Sequence, residues 1–166
     1  MKEYDICIVG AGPAGIFTAL ELIKNGRDDK ILIIEKGKSV EKRHCPKAET
    51  GVCVGCTPCN ITTGFSGAGA FSDGKLSLSE EVGGELPDLI GHQFAQDLIN
   101  YTDKIYLEFG ADTHIEGLGN EEKIKVIRKK AIKAGLKLVN CPIRHMGTEK
   151  AHEIYYGIEQ FLLNHG

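Results

Sequence analysis

Two groups of residues in this chain have the types and spacing to do chemistry. Gly10, Gly12 and Gly15 stand at G-x-G-x-x-G in the run YDICIVGAGPAGIF, and Glu35 follows 20 residues past the last of them. Each glycine has its own task where such a turn meets a pyrophosphate. Gly10 permits a sharp exit from a strand, Gly12 lets backbone come close to the phosphates, and Gly15 lets helix pack on strand. The helix N-terminus then offers free N–H groups and a partial positive charge. A carboxylate ending the next strand can accept hydrogen bonds from both ribose hydroxyls of an adenosine. It repels a 2′-phosphate, which argues against NADP at this place without separating NAD from FAD.

The second group is HCPKAETGVCVGCTPCN, which holds four of the six cysteines: Cys45, Cys53, Cys56 and Cys59. Three thiolates at C-x2-C-x2-C can curl around one corner of a cluster, and Cys45, followed by Pro46, can give a fourth ligand. In the bacterial ferredoxin run the Cys-Pro lies downstream; here it lies upstream. The expected metal ligands are these four cysteines, with a [4Fe-4S] cluster ahead of zinc, whose four-cysteine sites usually show two separate C-x2-C pairs. Metal-free thiols, redox-active or packed, are the third reading. His44 adjoins the group and could replace a ligand, although a solvated loop histidine is the commoner case. Cys7, inside the first strand, and Cys141, alone before Pro142, are read as packing residues.

The elements that must position these groups follow from hydrophobic pattern. Tyr4–Val9 reads as a buried strand, rich in β-branched residues and ended by Gly10. Helical periodicity then starts with Ala14, Phe17, Thr18, Leu22 and Ile23, and Gly26 closes it. Ile31–Ile34 is a second fully buried strand, so the opening is a β-α-β unit with parallel strands. From Gly37 to about Gly84 no period is sustained, and a loop of that length usually has a function or something bound to order it. Within it, GFSGAGAFSDGKLSLS bares backbone at Gly64, Gly67 and Gly69, so that successive N–H groups could form an anion-binding concavity, with Ser66 and Ser72 adding hydroxyls.

Beyond Pro87 the pattern becomes helical. Phe94, Leu98, Thr102, Ile105 and Phe109 share one face. A helix over about Asn120–Ala134 is expected to bury Ile124, Ile127 and Ala131 and to expose six cations, Lys123, Lys125, Arg128, Lys129, Lys130 and Lys133. Leu136–Val139 reads as a short strand, and a last helix, capped by Thr148, turns Ile154, Ile158, Phe161 and Leu162 inward. Arg144 and His145, in PIRHMGTE, are the candidates for substrate or flavin contact, since a cation beside a titratable ring suits an anionic substrate, with a buried structural role as the equal alternative.

Composition narrows the function classes. With 166 residues and a net charge of −3, the chain carries no basic field that would draw nucleic acid or an anionic membrane. No run approaches the ~18 apolar residues of a membrane helix, and the amino terminus lacks a signal-peptide pattern. The expectation is a soluble cytoplasmic protein with reduced thiols. A dinucleotide fold needs more parallel strands than two, so the reading expects an amino-terminal piece of a longer protein.

YDICIVGAGPAGIFTALELIKNG followed by LIIEKG resembles the amino terminus of FAD-dependent oxidoreductases with a glutathione-reductase-like fold. More narrowly, EKGKSVEKRHCP, GFSGAGAFSDGKLSLS and PIRHMGTEK look like a bacterial and archaeal family of FAD-dependent dehydrogenases of uncharacterised substrate. The resemblance implies that Gly10, Gly12, Pro13, Ala14 and Gly15 take the FAD pyrophosphate and that Glu35, with Lys36 beside it, takes the ribose. It also implies that Ser66, Gly67, Ala68 and Gly69 touch the flavin or its pyrophosphate, with Lys75 as a charge partner. Such enzymes continue for several hundred residues beyond this length, and here the turn NGRDDK is longer than usual in the family.

The resulting expectation is an α/β fold with a Rossmann-like FAD/NAD(P)-binding β-α-β unit, a Cys-rich loop, and a following helical segment, as an incomplete domain. Residues 1–83 form the cofactor-binding unit with both loops, 84–147 a helical cap, and 148–166 a helix returning to the first unit. The expected function is an FAD-dependent oxidoreductase, with NAD(P)H as electron donor and an unknown small-molecule substrate. An iron-sulfur centre beside the flavin would hand on singly the electrons that a flavin takes in pairs, with a one-electron carrier protein as partner. An NAD-binding biosynthetic enzyme related to thiazole synthases, and a non-catalytic cofactor-holding module, are the alternatives.

Overall fold

The computed structural model describes residues 3–165. In chain order the elements are β1 (Ile6–Val9), α1 (Pro13–Lys24), β2 (Ile31–Ile34), α2 (Lys47–Thr50), β3 (Lys75–Ser77), α3 (Leu86–Ile90), α4 (His92–Glu108), α5 (Glu121–Lys133), β4 (Ile143–His145) and α6 (Thr148–Asn164). Short 3-10 turns lie at Val40–Lys42 and Gly69–Phe71. The chain divides into two compact units, one made of residues up to Ser72 together with Thr148 onward, the other of Asp73–Gly147.

In the first unit β1 and β2 pair in parallel, Ile6 opposite Ile31 through Val9 opposite Ile34, and α1 lies in the connection between them. Pro13 opens α1 with the φ a first helical turn needs and no N–H to leave orphaned. Past the helix end, Gly26 adopts φ +67°, the left-handed conformation in which glycine has no Cβ penalty. α1 buries Ile16, Ala19 and Leu20, while α6 buries Ala151, Ile154, Tyr155, Ile158 and Leu162 and packs on both 3-10 turns.

The strands are not the fully buried pair that ICIV and ILII suggest. Val9 is 82% exposed and Ile34 49%, because the sheet among the described residues has these two strands only. A parallel strand is buried on both faces only where helices cover both. On α6, Phe161 is half-buried, and the pattern did not foresee the burial of Glu159, whose carboxylate accepts the Val40 N–H at 3.1 Å. Burial pushes the Glu159 pKa up, Glu41 adds to that, and Arg43 opposes it.

In the second unit β3 and β4 form an antiparallel ladder, Lys75 opposite His145, Leu76 opposite Arg144 and Ser77 opposite Ile143. Sequence pattern reads neither as a strand, and it places a strand at Leu136–Val139 where none forms. There, Gly135 at φ +71° ends α5 and the Leu136 N–H returns to the Ala131 carbonyl, spending the segment on a helix cap. α4 buries Ala95, Ile105 and Tyr106; of the expected face Ile105 is buried and Thr102 and Phe109 are half-buried, while Phe94 and Leu98 are exposed. α5 runs within its expected bounds but buries none of its residues, and Ile127 is 53% exposed. No helix is long and apolar enough to cross a membrane among the described residues.

Candidate functional site

The turn between β1 and α1 carries the strongest local constraints in the first unit. Gly10 sits at φ +98°, reachable without strain only by glycine, and donates its N–H to the Ile34 carbonyl at 2.7 Å. A Cβ on Gly15 would lie 2.0 Å from the Gly10 carbonyl oxygen and 3.2 Å from Ile8 Cγ2, so this glycine is what lets the helix start sit on the strand. Around a Cβ on Gly10 or Gly12 there is no heavy atom within 4 Å. No side chain caps the start of α1, and its first turn carries no acid. The early amides of a helix have no intrahelical acceptor, so the open approach over Gly12 leads to the orphan donors of Ala14 and Gly15, and the positive end of the helix dipole reinforces them.

Glu35 faces this turn. Its carboxylate accepts the Ala11 N–H at 3.0 Å and the Gly37 N–H at 2.9 Å. The Ala11 hydrogen bond is the main reason its pKa lies below the usual glutamate range, with the Gly37 and Gly64 amides and Lys36 pulling the same way against partial burial. A carboxylate has about four acceptor positions. At least two are spent on protein amides, so full use of both oxygens on ribose hydroxyls gives way to a smaller share. Lys36 itself is exposed. Beside Glu35 opens a cavity of about 370 Å³ lined by Tyr4, Ala11, Ile33, Gly37, Phe65 and Glu159 among others.

The segment 64–72 is structural backing for the turn rather than an anion-binding concavity. Most of its amides are already engaged: Phe65 on the Lys38 carbonyl, Ser66 on Ala11, Gly67 on Gly64, Gly69 on Ser66, and Ala70 on Ser66 Oγ. Two glycines there serve close packing. A Cβ on Gly64 would meet the Lys38 carbonyl oxygen at 2.6 Å, and one on Gly69 the Tyr155 ring at 2.7–2.9 Å. Ser66 is fully buried at φ +75°, a conformation that a non-glycine residue keeps only where its surroundings over-determine it. They do so here through its N–H on Ala11 and its Oγ, which accepts from Ala70 and from Arg43 at 3.2 and 3.3 Å. Gly67 is half-buried and Ala68 exposed.

Arg43, which sequence reading passed over, organises the Cys-rich loop. Only 4% exposed, it donates to the carbonyls of Asn60 at 2.8 Å, Phe65 at 2.6 Å and Ile61, and its guanidinium lies 4.5 Å from the Phe71 ring centroid. Burial lowers its pKa, and the charges of Glu35, Cys59 and Glu159 work against that. Only the RHCP context marked it, and its partners lie 17 to 23 residues away.

The four loop cysteines are free thiols, with Cys53 and Cys59 exposed and Cys45 and Cys56 half-buried. Among the described residues no three His, Cys, Asp or Glu side chains gather into a group able to hold a metal ion, so the four-cysteine centre expected from spacing is not assembled here. His44 meets Glu49 at 3.2 Å in an exposed pair. Cys59 is distinct: the Thr62 N–H, then the Ile61 N–H and the Thr62 hydroxyl, stabilise its thiolate, and Arg43 adds charge, so its pKa is lowered. In metal-free protein iodoacetamide at neutral pH should therefore label Cys59 first, and Thr62→Val should slow that labelling several-fold, read by peptide mass spectrometry.

Lys75, Arg144 and His145 belong to the second unit. Lys75 pairs with Asp73 at 2.9 Å, and that ion pair, ahead of any other influence, lowers the Asp73 pKa. Arg144 is 3% exposed and turned inward: Nε and Nη2 grip both oxygens of Asp103, and Nη1 donates to the Asp112 and His114 carbonyls. Its pKa is raised, chiefly by Asp103. Bidentate pairing of this kind fixes fold geometry, and it removes Arg144 from the candidates for ligand contact. His145 is exposed at the ladder edge opposite Lys75.

The chain is 44% identical over 72 residues to an uncharacterised protein from Clostridium beijerinckii, a match covering 42% of this chain and 13% of that protein. It is similar in structure to the L-amino acid deaminase from Proteus vulgaris, with a TM-score of 0.39 and 16% identity, over 98% of this chain and 39% of that one. No family model matches the sequence. A TM-score this low carries no argument about fold or chemistry, so the functional case rests on the residues.

Proposed function

We propose that this chain binds FAD on the β1–α1 turn and is the cofactor-holding part of a Rossmann-like flavin-dependent oxidoreductase. The observation that carries the reading is the pairing of an open approach over Gly10 and Gly12 with an uncapped start of α1, next to a carboxylate held ionised at Glu35. In this reading Gly12 admits the diphosphate to the amides of Ala14 and Gly15, and Pro13 holds the helix start in shape. Glu35 gives a ribose hydroxyl the acceptor positions left free by Ala11 and Gly37, and the cavity beside it offers apolar wall to a purine. When bound, FAD supplies hydride chemistry at its isoalloxazine ring. NAD(P)H as donor, a small-molecule substrate and a cytoplasmic location remain part of the proposal.

The test is titration of flavin-free protein with FAD, followed by flavin fluorescence. Glu35→Gln should weaken binding about tenfold or more, as expected for losing a hydrogen bond to a charged acceptor. The Glu35 pKa is depressed in the fold, so its contribution is present above the ordinary glutamate pKa and lost as pH falls through the depressed value. FAD release on acidification should accordingly be blunted in Glu35→Gln. Glu35 would grip an NAD ribose equally well, which favours the NAD-dependent biosynthetic reading as second choice. Displacement of FAD by NAD at comparable concentration would select it, and failure to bind either overturns the proposal.

A further inference from the structure

α5 turns an apolar face toward space that the fold does not fill. Ile124, Ile127 and Ala131 recur at helical spacing, with Arg128 beside them on the same side. None of the four is buried: Ile124, Arg128 and Ala131 are half-buried and Ile127 is exposed. Between this face and residues 138–142, with residues 117–119 also on its wall, lies a pocket of about 450 Å³. It belongs wholly to the second unit. Leu118, Ile124, Ile127, Val139 and Pro142 supply apolar wall. Packed interiors leave few voids larger than a water molecule, whereas a space of this size matches small-molecule sites, which are mostly apolar with a few placed polar groups.

Arg128 is the polar group that says what the pocket accepts. Its Nη2 donates to Asn140 Oδ1 at 2.7 Å, and it meets no carboxylate among the described residues. The other arginines are fully engaged: Arg27 with Asp29, Arg144 with Asp103, and Arg43 with backbone carbonyls. Lys125, a second cation on the wall, pairs with Glu122 at 2.7 Å. A guanidinium carries five N–H donors in a planar fork that matches a carboxylate. Arg128 therefore has donors to spare beside an apolar space, where a charge gains most from a partner. Glu121 also lines the pocket, two helical turns and about 10 Å away along the axis, so an anionic group belongs at the Arg128 end. We propose that this pocket binds a small monocarboxylate with an apolar body, its carboxylate on Arg128 and its hydrocarbon against Leu118, Ile124, Ile127, Val139 and Pro142. Cys141 stands on the same wall and reports occupancy. The site is separate from the β1–α1 turn, and its failure would leave the FAD reading untouched.

The test titrates the full chain with octanoate and with 1-octanol, its neutral counterpart, read by amide chemical shifts and by alkylation of Cys141. Octanoate should shift the amides of residues 118, 124–128 and 138–142 and slow Cys141 alkylation several-fold, with Cys7 unaffected. Octanol should bind about tenfold more weakly, for want of a charge-assisted hydrogen bond. Arg128→Gln should remove that preference and bring octanoate to the level of octanol. Ile127→Glu, at an exposed position, should exclude octanoate by setting a like charge in the wall. Lys129→Gln, exposed on the same helix but outside the pocket, should change nothing. Equal binding of octanoate and octanol overturns the proposal, and so does the absence of a saturable shift at millimolar octanoate. Equal weakening by Lys129→Gln would reduce the effect to the charge of the helix and also sinks it. Protection of Cys141 that grows with protein concentration alone would give the face to a second copy of the chain instead.

Discussion

Gly15→Ala should cost this chain both its first turn and its ligand, whereas Gly12→Ala should cost it the ligand alone. A methyl on Gly15 would stand 2.0 Å from the Gly10 carbonyl oxygen, a backbone atom that cannot swing aside as a side chain does. Overpacking of a core side chain typically costs 1–3 kcal/mol, and here α1 must lift off β1, so a loss of about 3 kcal/mol or more is expected. Gly12 has φ −77°, which alanine adopts freely, and no heavy atom lies within 4 Å of the added carbon. Its methyl would instead occupy the approach that the diphosphate needs. Urea unfolding of both variants, paired with FAD titration, reads the contrast. Stability falling equally in both would remove the distinction between the packing glycine and the access glycine.

Arg43→Ala should be the most damaging single change in the Cys-rich loop, at about 3 kcal/mol. It strands the carbonyls of Asn60, Ile61 and Phe65 around a buried gap, and hydrogen bonds from a charged donor contribute about 1.5–3 kcal/mol each, though not additively. Arg43→Lys keeps the charge but not the planar fork, and cannot span three carbonyls and lie over Phe71 at once. An intermediate loss of about 2 kcal/mol is expected for it. Denaturant curves measure the loss, and limited proteolysis should place new cuts between Lys47 and Cys59. Wild-type resistance in Arg43→Ala would mean the loop is held by something other than its neck.

What the sequence disclosed here was local. The G-x-G-x-x-G spacing, the helix after Pro13, the acid closing β2 and the long amphipathic period of α6 all depend on neighbours within a few residues, and spacing records such relations. What it hid depends on distance. Gly64 and Gly69 looked like bare backbone for an anion, but they are small because Lys38, Arg43 and Tyr155 stand against them, and composition does not reveal which need a glycine answers. Arg144 looked like a ligand contact because its partner, Asp103, lies 41 residues earlier on another element. β3 and β4 are three-residue strands paired across a still longer stretch of sequence, Leu76 opposite Arg144, and too short to show alternation. Likewise the apolar period of α5 specified a helix, and no period states whether a neighbour will cover it.

Ser66 holds the Ala11 carbonyl with its backbone and Arg43 with its hydroxyl. The turn after the first strand and the anchor of the Cys-rich loop thus meet at a single serine. The cost of that arrangement is a shared point of failure: an accident at Ser66 would disable both at once.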